Sequence, residues 1–328
     1  MRRPPLRIEM LQGDATAVEA DVLALKYAQA RYGLDAYVAQ RLCEAGHSED
    51  EMSPRPGGFR LLPGVAGVAA KSILFVGVEP LWDFEYNEIR AFARKVLSSL
   101  AGQQPDAQRL IVTVHGPGYG LDEDEAFESQ LAGFLDAMET SDTPEHLEVI
   151  TFVERNKGRA LRLQESLGQI VPPGTLDQRD SGILGAAKPE TRERLRAAGY
   201  ASASKAHVFV AMPFSDDLED VYHYGIRNAV KSAGLLCERA DLSSFTGDVI
   251  TWVRERIRTA SLVIADLSGA NPNVYLEIGF AWGCGIPTIL LAQHSSELRF
   301  DVQGHRCLMY KKIKDLEEKL GAELKELG

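Results

Sequence analysis

The chain has 328 residues, of which 45% are hydrophobic and 25% charged. That length suits two domains of ~100–200 residues each, and the composition is that of a soluble globular protein. A formal net charge of −11 argues against a general DNA- or RNA-binding surface, which needs a basic face to neutralise phosphates. A small nucleotide stays open, because a few backbone N–H groups and one arginine can hold a diphosphate.

The cysteines Cys43, Cys237, Cys284 and Cys307 show no CxxC or Cys/His ligand spacing, so neither a metal site nor a disulfide framework is expected. Cys237 and Cys284 lie in apolar runs and read as small buried hydrophobes. The opening MRRPPLRIEML lacks the apolar core of a signal peptide. No later run approaches the ~20 apolar residues of a membrane span. The expected compartment is the cytoplasm.

Residues 1–154 alternate short β-rich runs (Leu6–Met10, Val22–Lys26, Ser72–Val78, Leu110–Val114, Leu147–Val153) with helical stretches (Asp35–Ala45, Asn87–Ala101, Glu125–Glu139). This pattern predicts an α/β layer structure. Within it, Leu110–Val114 runs into His115-Gly116-Pro117-Gly118-Tyr119-Gly120. A strand ending in spaced glycines suits a loop whose N–H groups approach a diphosphate, and a tight turn explains the glycines equally well. Residues 155–205 are polar, with Pro172-Pro173-Gly174, and read as a helical connector that buries little.

From 206 to 328 the alternation returns. Strands are expected at Val208–Ala211, Leu235–Arg239, Leu262–Asp266 and Thr288–Leu291, with a last run at Arg306–Tyr310. Helices are expected at Asp217–Ala233, Asp248–Ala260 and Val274–Cys284. Continuous apolar runs such as Leu262-Val263-Ile264-Ala265 predict a parallel sheet covered on both faces. A tail helix carries Ile313, Leu316, Leu320 and Leu324 on one face, for core or dimer packing.

Ligands of such sheets sit beyond the carboxyl ends of the strands. There lie Met212-Pro213-Phe214-Ser215 after the first strand, Arg239 after the second, and Asp266, Asn271 and Asn273 after the third. Glu277 follows about one turn into an otherwise apolar helix. A lone carboxylate is costly there unless it faces a polar cavity or has partners, which favours a functional over a structural role. Asn271 or Asn273 also reads as a helix cap, with Pro272 setting the entry. Arg239, Ser215 and the helix start near Asp216 are candidates to hold a phosphate, and Arg239 reads equally as a surface ion pair. Tyr275 and Trp282 are candidates to line the pocket but on an apolar helix read more readily as core, and His223 reads as a helix-surface residue without a role.

The segments Val208–Phe214, Thr246-Gly247-Asp248 and Ile264–Ala281, with Asn271-Pro272-Asn273-Val274 leading to Glu277, resemble nucleoside 2-deoxyribosyltransferase-like proteins. They are equally similar to bacterial TIR-like domains of the same flavodoxin-like class. The resemblance implies that Glu277 meets the anomeric carbon and that Asp248 lies near the base. The acidic residue that the transferases carry shortly before the catalytic glutamate is absent here, so their deoxyribose preference does not carry over. The chemistry fits N-glycosidic cleavage, in which one carboxylate stabilises or attacks the sugar and a second group serves the departing base.

Residues 6–154 resemble macro domains, and equally the N-terminal domain of leucyl aminopeptidases. The matching pieces are Gly13-Asp14 with Ala20–Ala24, the strand ending at Gly77, the helix Ile89–Leu100 and the loop Gly116–Gly120. The stretch Lys26–Gly33 lacks the asparagine-rich and triple-glycine motifs of typical macro domains. That likeness implies a sensor for an ADP-ribose-like ligand.

The combined expectation is a two-domain α/β protein: a macro-like sensor at 1–154, a connector at 155–205 and a catalytic domain at 206–328. It cleaves the N-glycosidic bond of a small nucleotide, NAD before others, under control of a nucleotide signal and without a resident cofactor. By resemblance it is an oligomer of the kind found in bacterial anti-phage signalling. The rival readings are a non-catalytic nucleotide-binding module and an interaction scaffold.

Overall fold

Strands covered on both faces need apolar residues at every position, and the chain supplies them in two places. The structure, a computed structural model, describes residues 6–171, 188–240, 249–295 and 298–327. It divides into two α/β units, one of residues 1–117 and 123–203, the other of residues 118–122 and 204–328. The Pro172–Gly174 turn and the Thr246-Gly247-Asp248 segment lie outside the described residues.

In the first unit the strands are β1 (Arg7–Gln12), β2 (Val22–Tyr27), β3 (Phe59–Pro63), β4 (Ser72–Gly77), β5 (Arg109–Thr113) and β6 (Val149–Glu154). They form one sheet in the order β1-β6-β5-β2-β4-β3. All neighbours are parallel except β3, which runs antiparallel to β4 along the edge. That edge strand is absent from the sequence expectation.

The helices are α1 (Leu34–Glu44), α2 (Tyr86–Gln103), α3 (Glu123–Glu139), α4 (Lys157–Ile170) and α5 (Pro189–Ala197). Helix α4 buries Ala160, Leu163, Leu167 and Ile170. The stretch after 155 is therefore less superficial than its polarity implies. Its apolar residues fall three and four apart on one helix face, where few of them suffice to join a core.

Helices α2 and α3 pack closely because Gly133 has no side chain. A Cβ there would overlap the Arg90 carbonyl oxygen and lie 2.8 Å from Ala93 Cβ. Gly133→Ala gains up to about 1 kcal/mol of helix propensity, but overpacking costs about 1–3 kcal/mol. The expected net result is a lower urea midpoint at unchanged slope.

The second unit contains β7 (His207–Ala211), β8 (Leu236–Glu238), β9 (Leu262–Asp266), β10 (Thr288–Ala292) and β11 (Cys307–Met309). Their order is β11-β10-β9-β7-β8, and every pair is parallel. Counted from its own first strand this is 5-4-3-1-2, the doubly wound flavodoxin-like order.

The helices are α6 (Asp216–Asp220), a π-helix (Val221–Arg227), α7 (Asn228–Ser232), α8 (Val249–Thr259), α9 (Pro272–Gly283) and α10 (Ile313–Leu327). The single helix expected from 217 to 233 is thus a continuous path with a wide π centre. Gly225 sits in it with no side chain, and a Cβ would lie 2.8 Å from Leu316 Cδ2 of α10.

Successive strand residues point to opposite faces. Val208, Val210, Met212 and Ile264 pack with the π-helix and with Leu316, Leu320 and Leu324 of α10, so the tail helix serves this core. Phe209, Ala211, Val263 and Ala265 pack with Trp252 of α8 and with Val274, Ile278 and Ala281 of α9.

All four cysteines are free. Cys237 is buried as expected, but Cys284 is exposed. Cys284 is the C-cap of α9, where the chain turns out of the helix into solvent. Among the described residues there is no His/Cys/Asp/Glu cluster able to hold a metal. No helix among them is long and apolar enough to cross a membrane.

Candidate active site

The strand order of the second sheet reverses between β7 and β9. Ligands of such sheets bind in the crevice at the carboxyl ends of that reversal, where the following helices leave toward opposite faces. Chain leaving β7 enters α6 on one face, and chain leaving β9 enters α9 on the other.

The β9–α9 turn is built tightly. Gly269 has φ 73° and Ala270 φ 49°, and the second is a left-handed conformation that a residue with a Cβ adopts at some cost. Asn271 is the N-cap of α9, its side chain accepting from Asn273 N–H at 2.9 Å, and Pro272 stands at the first helical position. The capping role is therefore the one Asn271 fills, while Asn273 is exposed.

Glu277 falls three residues after Val274 and four before Ala281, so it shares the inward face of α9 with them. Its carboxylate has no hydrogen-bond or ion-pair partner among the described residues. Burial alone pushes it up to about 7. A partnerless carboxylate on the inner face of a helix, beside a topological switch point, is an uncommon and costly arrangement.

Asp266, at the end of β9, is fully buried. Its carboxylate accepts from Ser268 N–H at 2.9 Å and from the Tyr310 hydroxyl at 2.6 Å. Gln293 donates to the same hydroxyl at 3.2 Å. These bonds tie the ends of β9, β10 and β11 together.

On the other side, Met212 is buried, Pro213 half-buried, and Phe214 and Ser215 exposed. Ser215 is the N-cap of α6 without a side-chain bond, and Asp216, Asp217 and Glu219 follow in the first turn. That concentration of negative charge repels an anion, which disfavours the expected phosphate contact at this helix start.

Arg239 is mostly enclosed. Its Nη2 donates to Glu219 at 2.7 Å and its Nη1 meets Met212 Sδ at 3.7 Å. The guanidinium lies 3.9 Å from the Tyr222 ring centroid and 5.2 Å from that of Phe214. The ion pair expected for Arg239 is formed, on a side chain more enclosed than a surface pair.

His223 departs from its expected surface position. It is buried, with Nε2 3.2 Å from Glu219. The i,i+4 spacing of Glu219 and His223 is the sequence signal for that contact. Hydrogen bonding from His223, with Arg239 beside it, holds Glu219 down at about 2. Glu219 and Glu277, both half-buried, are thus shifted in opposite directions. Asp248 lies outside the described residues. Tyr275 accepts from Arg299 N–H at 3.2 Å, and Trp282 donates to Thr288 at 2.7 Å while stacking on His305.

The glycine-rich turn after β5 divides between the units. Gly116 belongs to the first, whereas Gly118, Tyr119 and Gly120 belong to the second. Gly116 and Gly120 have φ of 108° and 100°, conformations that require glycine. The Gly120 carbonyl accepts from Arg239 N–H at 3.1 Å, and a Cβ at Gly120 would overlap the Trp252 ring. Just before the turn, His115 is buried against Phe84 and Phe92. Burial pushes it well below its ordinary range, which keeps it neutral.

No protein-family model and no curated protein matches the sequence. Among solved structures, a Trypanosoma brucei macrodomain is 16% identical over 48% of this chain and 66% of its own, with a TM-score of 0.39. This chain thus spans just under two thirds of that relative. An Oceanobacillus iheyensis macrodomain with ADP is 12% identical over 49% of this chain and 90% of its own, with a TM-score of 0.39. A Clostridium botulinum CMP N-glycosidase is 22% identical over 35% of this chain and 98% of its own, with a TM-score of 0.29. At such distances the chemistry has to be read from this chain's own residues.

Proposed function

We propose that the second unit cleaves the N-glycosidic bond of a small nucleotide, with Glu277 as the carboxylate that meets the anomeric carbon. The observation that carries this reading is that Glu277, on the inner face of α9 after the switch-point strand β9, has no partner among the described residues.

As the C1′–N bond breaks, its electron pair leaves with the base and positive charge develops on the sugar. An unpaired carboxylate in a poorly solvated spot stabilises that charge more than one in water. It can also add to C1′, after which water attacks C1′ and releases the sugar. A pyridinium nucleotide such as NAD suits the site, because the departing pair neutralises its ring nitrogen and no proton is needed. Bases that leave as anions need an acid, the role that Asp248 is proposed to fill. In this reading the macro-like unit binds a nucleotide-derived ligand and regulates the reaction.

The pH profile of base release tests the assignment. The working form of Glu277 is ionised and its free-enzyme value is about 7. Hence kcat/KM should rise about tenfold per pH unit below 7 and level off above it. A profile that is flat from pH 5 to 8, or that falls, contradicts the role.

A further inference from the structure

Helix α6, which follows β7 at the switch point, carries a second half-buried carboxylate, Glu219, and its surroundings suit a different task. Its Oε1 accepts from Arg239 at 2.7 Å and its Oε2 lies 3.2 Å from His223 Nε2. A carboxylate only accepts hydrogen bonds, so that His223 nitrogen carries the proton. Two donors therefore fix the orientation of Glu219, each on a different oxygen.

A carboxylate offers about four lone-pair directions, and these contacts use two. The Glu219 side chain is still 39% exposed, whereas those of Arg239 and His223 are 11% and 7% exposed. The two remaining acceptor directions are thus the part of this cluster open to a ligand. Neutralised by its neighbours and held down at about 2, Glu219 is a weak base and a weak nucleophile. It remains a strong hydrogen-bond acceptor.

An anion is excluded by the acids at the start of α6, and a cation would meet Arg239 directly behind the carboxylate. A neutral donor pair fits, and the one that a 5′-ribonucleotide offers whatever its base is the ribose diol. In dinucleotide-binding sheets an acidic side chain accepts from the ribose hydroxyls in this way, there beyond a strand and here from the first turn of α6.

We propose that Glu219 accepts hydrogen bonds from the ribose hydroxyls of the substrate and makes the site select ribonucleotides over 2′-deoxyribonucleotides. The inference rests on the nucleotide reading of the crevice and adds the sugar class that it takes. Glu219 here binds sugar, and the covalent chemistry stays with Glu277.

The test uses full-length protein carrying Glu277→Gln, so that substrates bind without turnover. NAD and its 2′-deoxyribosyl-nicotinamide analogue are titrated by calorimetry, as are CMP and dCMP, with and without Glu219→Gln. Loss of a hydrogen bond to a charged group corresponds to about 10- to 100-fold in affinity. The ribo form should bind tighter by that factor, and Glu219→Gln should bring the ratio close to one mainly by weakening the ribo form. A purely structural role would weaken both sugars alike.

Equal affinity for both sugars in the parent, or a ratio that survives Glu219→Gln, overturns the proposal. Should Glu219→Gln fold poorly, Glu219→Asp keeps the charge facing Arg239 and withdraws the carboxylate from the sugar, with the same ratio as readout. Selective binding with no base release by the wild-type chain would remove the catalytic reading and leave the diol site standing.

Discussion

Glu277→Gln should abolish base release and at the same time make the protein more stable at alkaline pH. The second effect follows from linkage. The folded state holds Glu277 at about 7, against 4.5 for a solvated glutamate, so the native protein binds the proton more tightly than the unfolded chain does. Stability from this group is complete below about pH 4.5 and is lost as pH rises through about 7.

At pH 8 the folded protein carries a poorly solvated charge that glutamine lacks. Each tenfold difference in proton affinity between the folded and unfolded states corresponds to about 1.4 kcal/mol. With partial exposure of the side chain taken into account, the gain in the variant should be about 1–3 kcal/mol. Urea unfolding of both proteins at pH 5 and pH 8 checks it, the curves coinciding more closely at pH 5 and separating at pH 8. A variant less stable than wild type at pH 8 would mean that Glu277 has a stabilising partner after all.

Arg90→Ala should be the most damaging single change in the first unit, at about 3–5 kcal/mol. Arg90 is 5% exposed. Its Nε and Nη2 donate to the two oxygens of Asp136, each at 2.7 Å. Its Nη1 reaches the Ala198 carbonyl at 2.6 Å and that of Arg196 at 2.9 Å, and Tyr200 stacks on its guanidinium at 4.2 Å. One side chain thus joins α2 to α3 and satisfies carbonyls at the end of α5, which helical geometry leaves without partners.

Truncation strands Asp136 as a poorly solvated charge and leaves those carbonyls unpaired. Arg90→Lys keeps the charge but loses the fork, so its cost should fall between wild type and alanine. In Asp136→Asn protein the cost of Arg90→Ala should shrink. Additivity of the two changes, read from urea midpoints, would deny the coupling.

The parallel core of the second unit was legible because its signal is local. Leu262–Ala265 is an unbroken apolar run, and β9 spans Leu262–Asp266. The capped entry to α9 was equally plain in Asn271-Pro272-Asn273. Strand β3 was hidden: Phe59–Pro63 is short, ends in proline, and lies on an edge where one neighbour suffices.

The π-helix was hidden for another reason. Its residues fit an α pattern, and the wide turn is marked only by the approach of Leu316 to Gly225, a contact distant in sequence. Glu277 could be singled out from its apolar surroundings on one helix. Its lack of a partner among the described residues could not, since partners come from other elements. Asp266 shows the converse. Its position after the strand suggested a ligand contact, and its bond to Tyr310 depends on a residue 44 positions later.

The most direct test of the account is to incubate wild-type and Glu277→Gln protein with NAD and a panel of nucleotides, with and without ADP-ribose-type and cyclic-nucleotide activators. Free base is then followed by chromatography. The account predicts base release by the wild type and none by a well-folded Glu277→Gln. Undiminished release by the variant would contradict the role of Glu277, and no release by the wild type under any activator, despite tight nucleotide binding, would contradict catalysis itself.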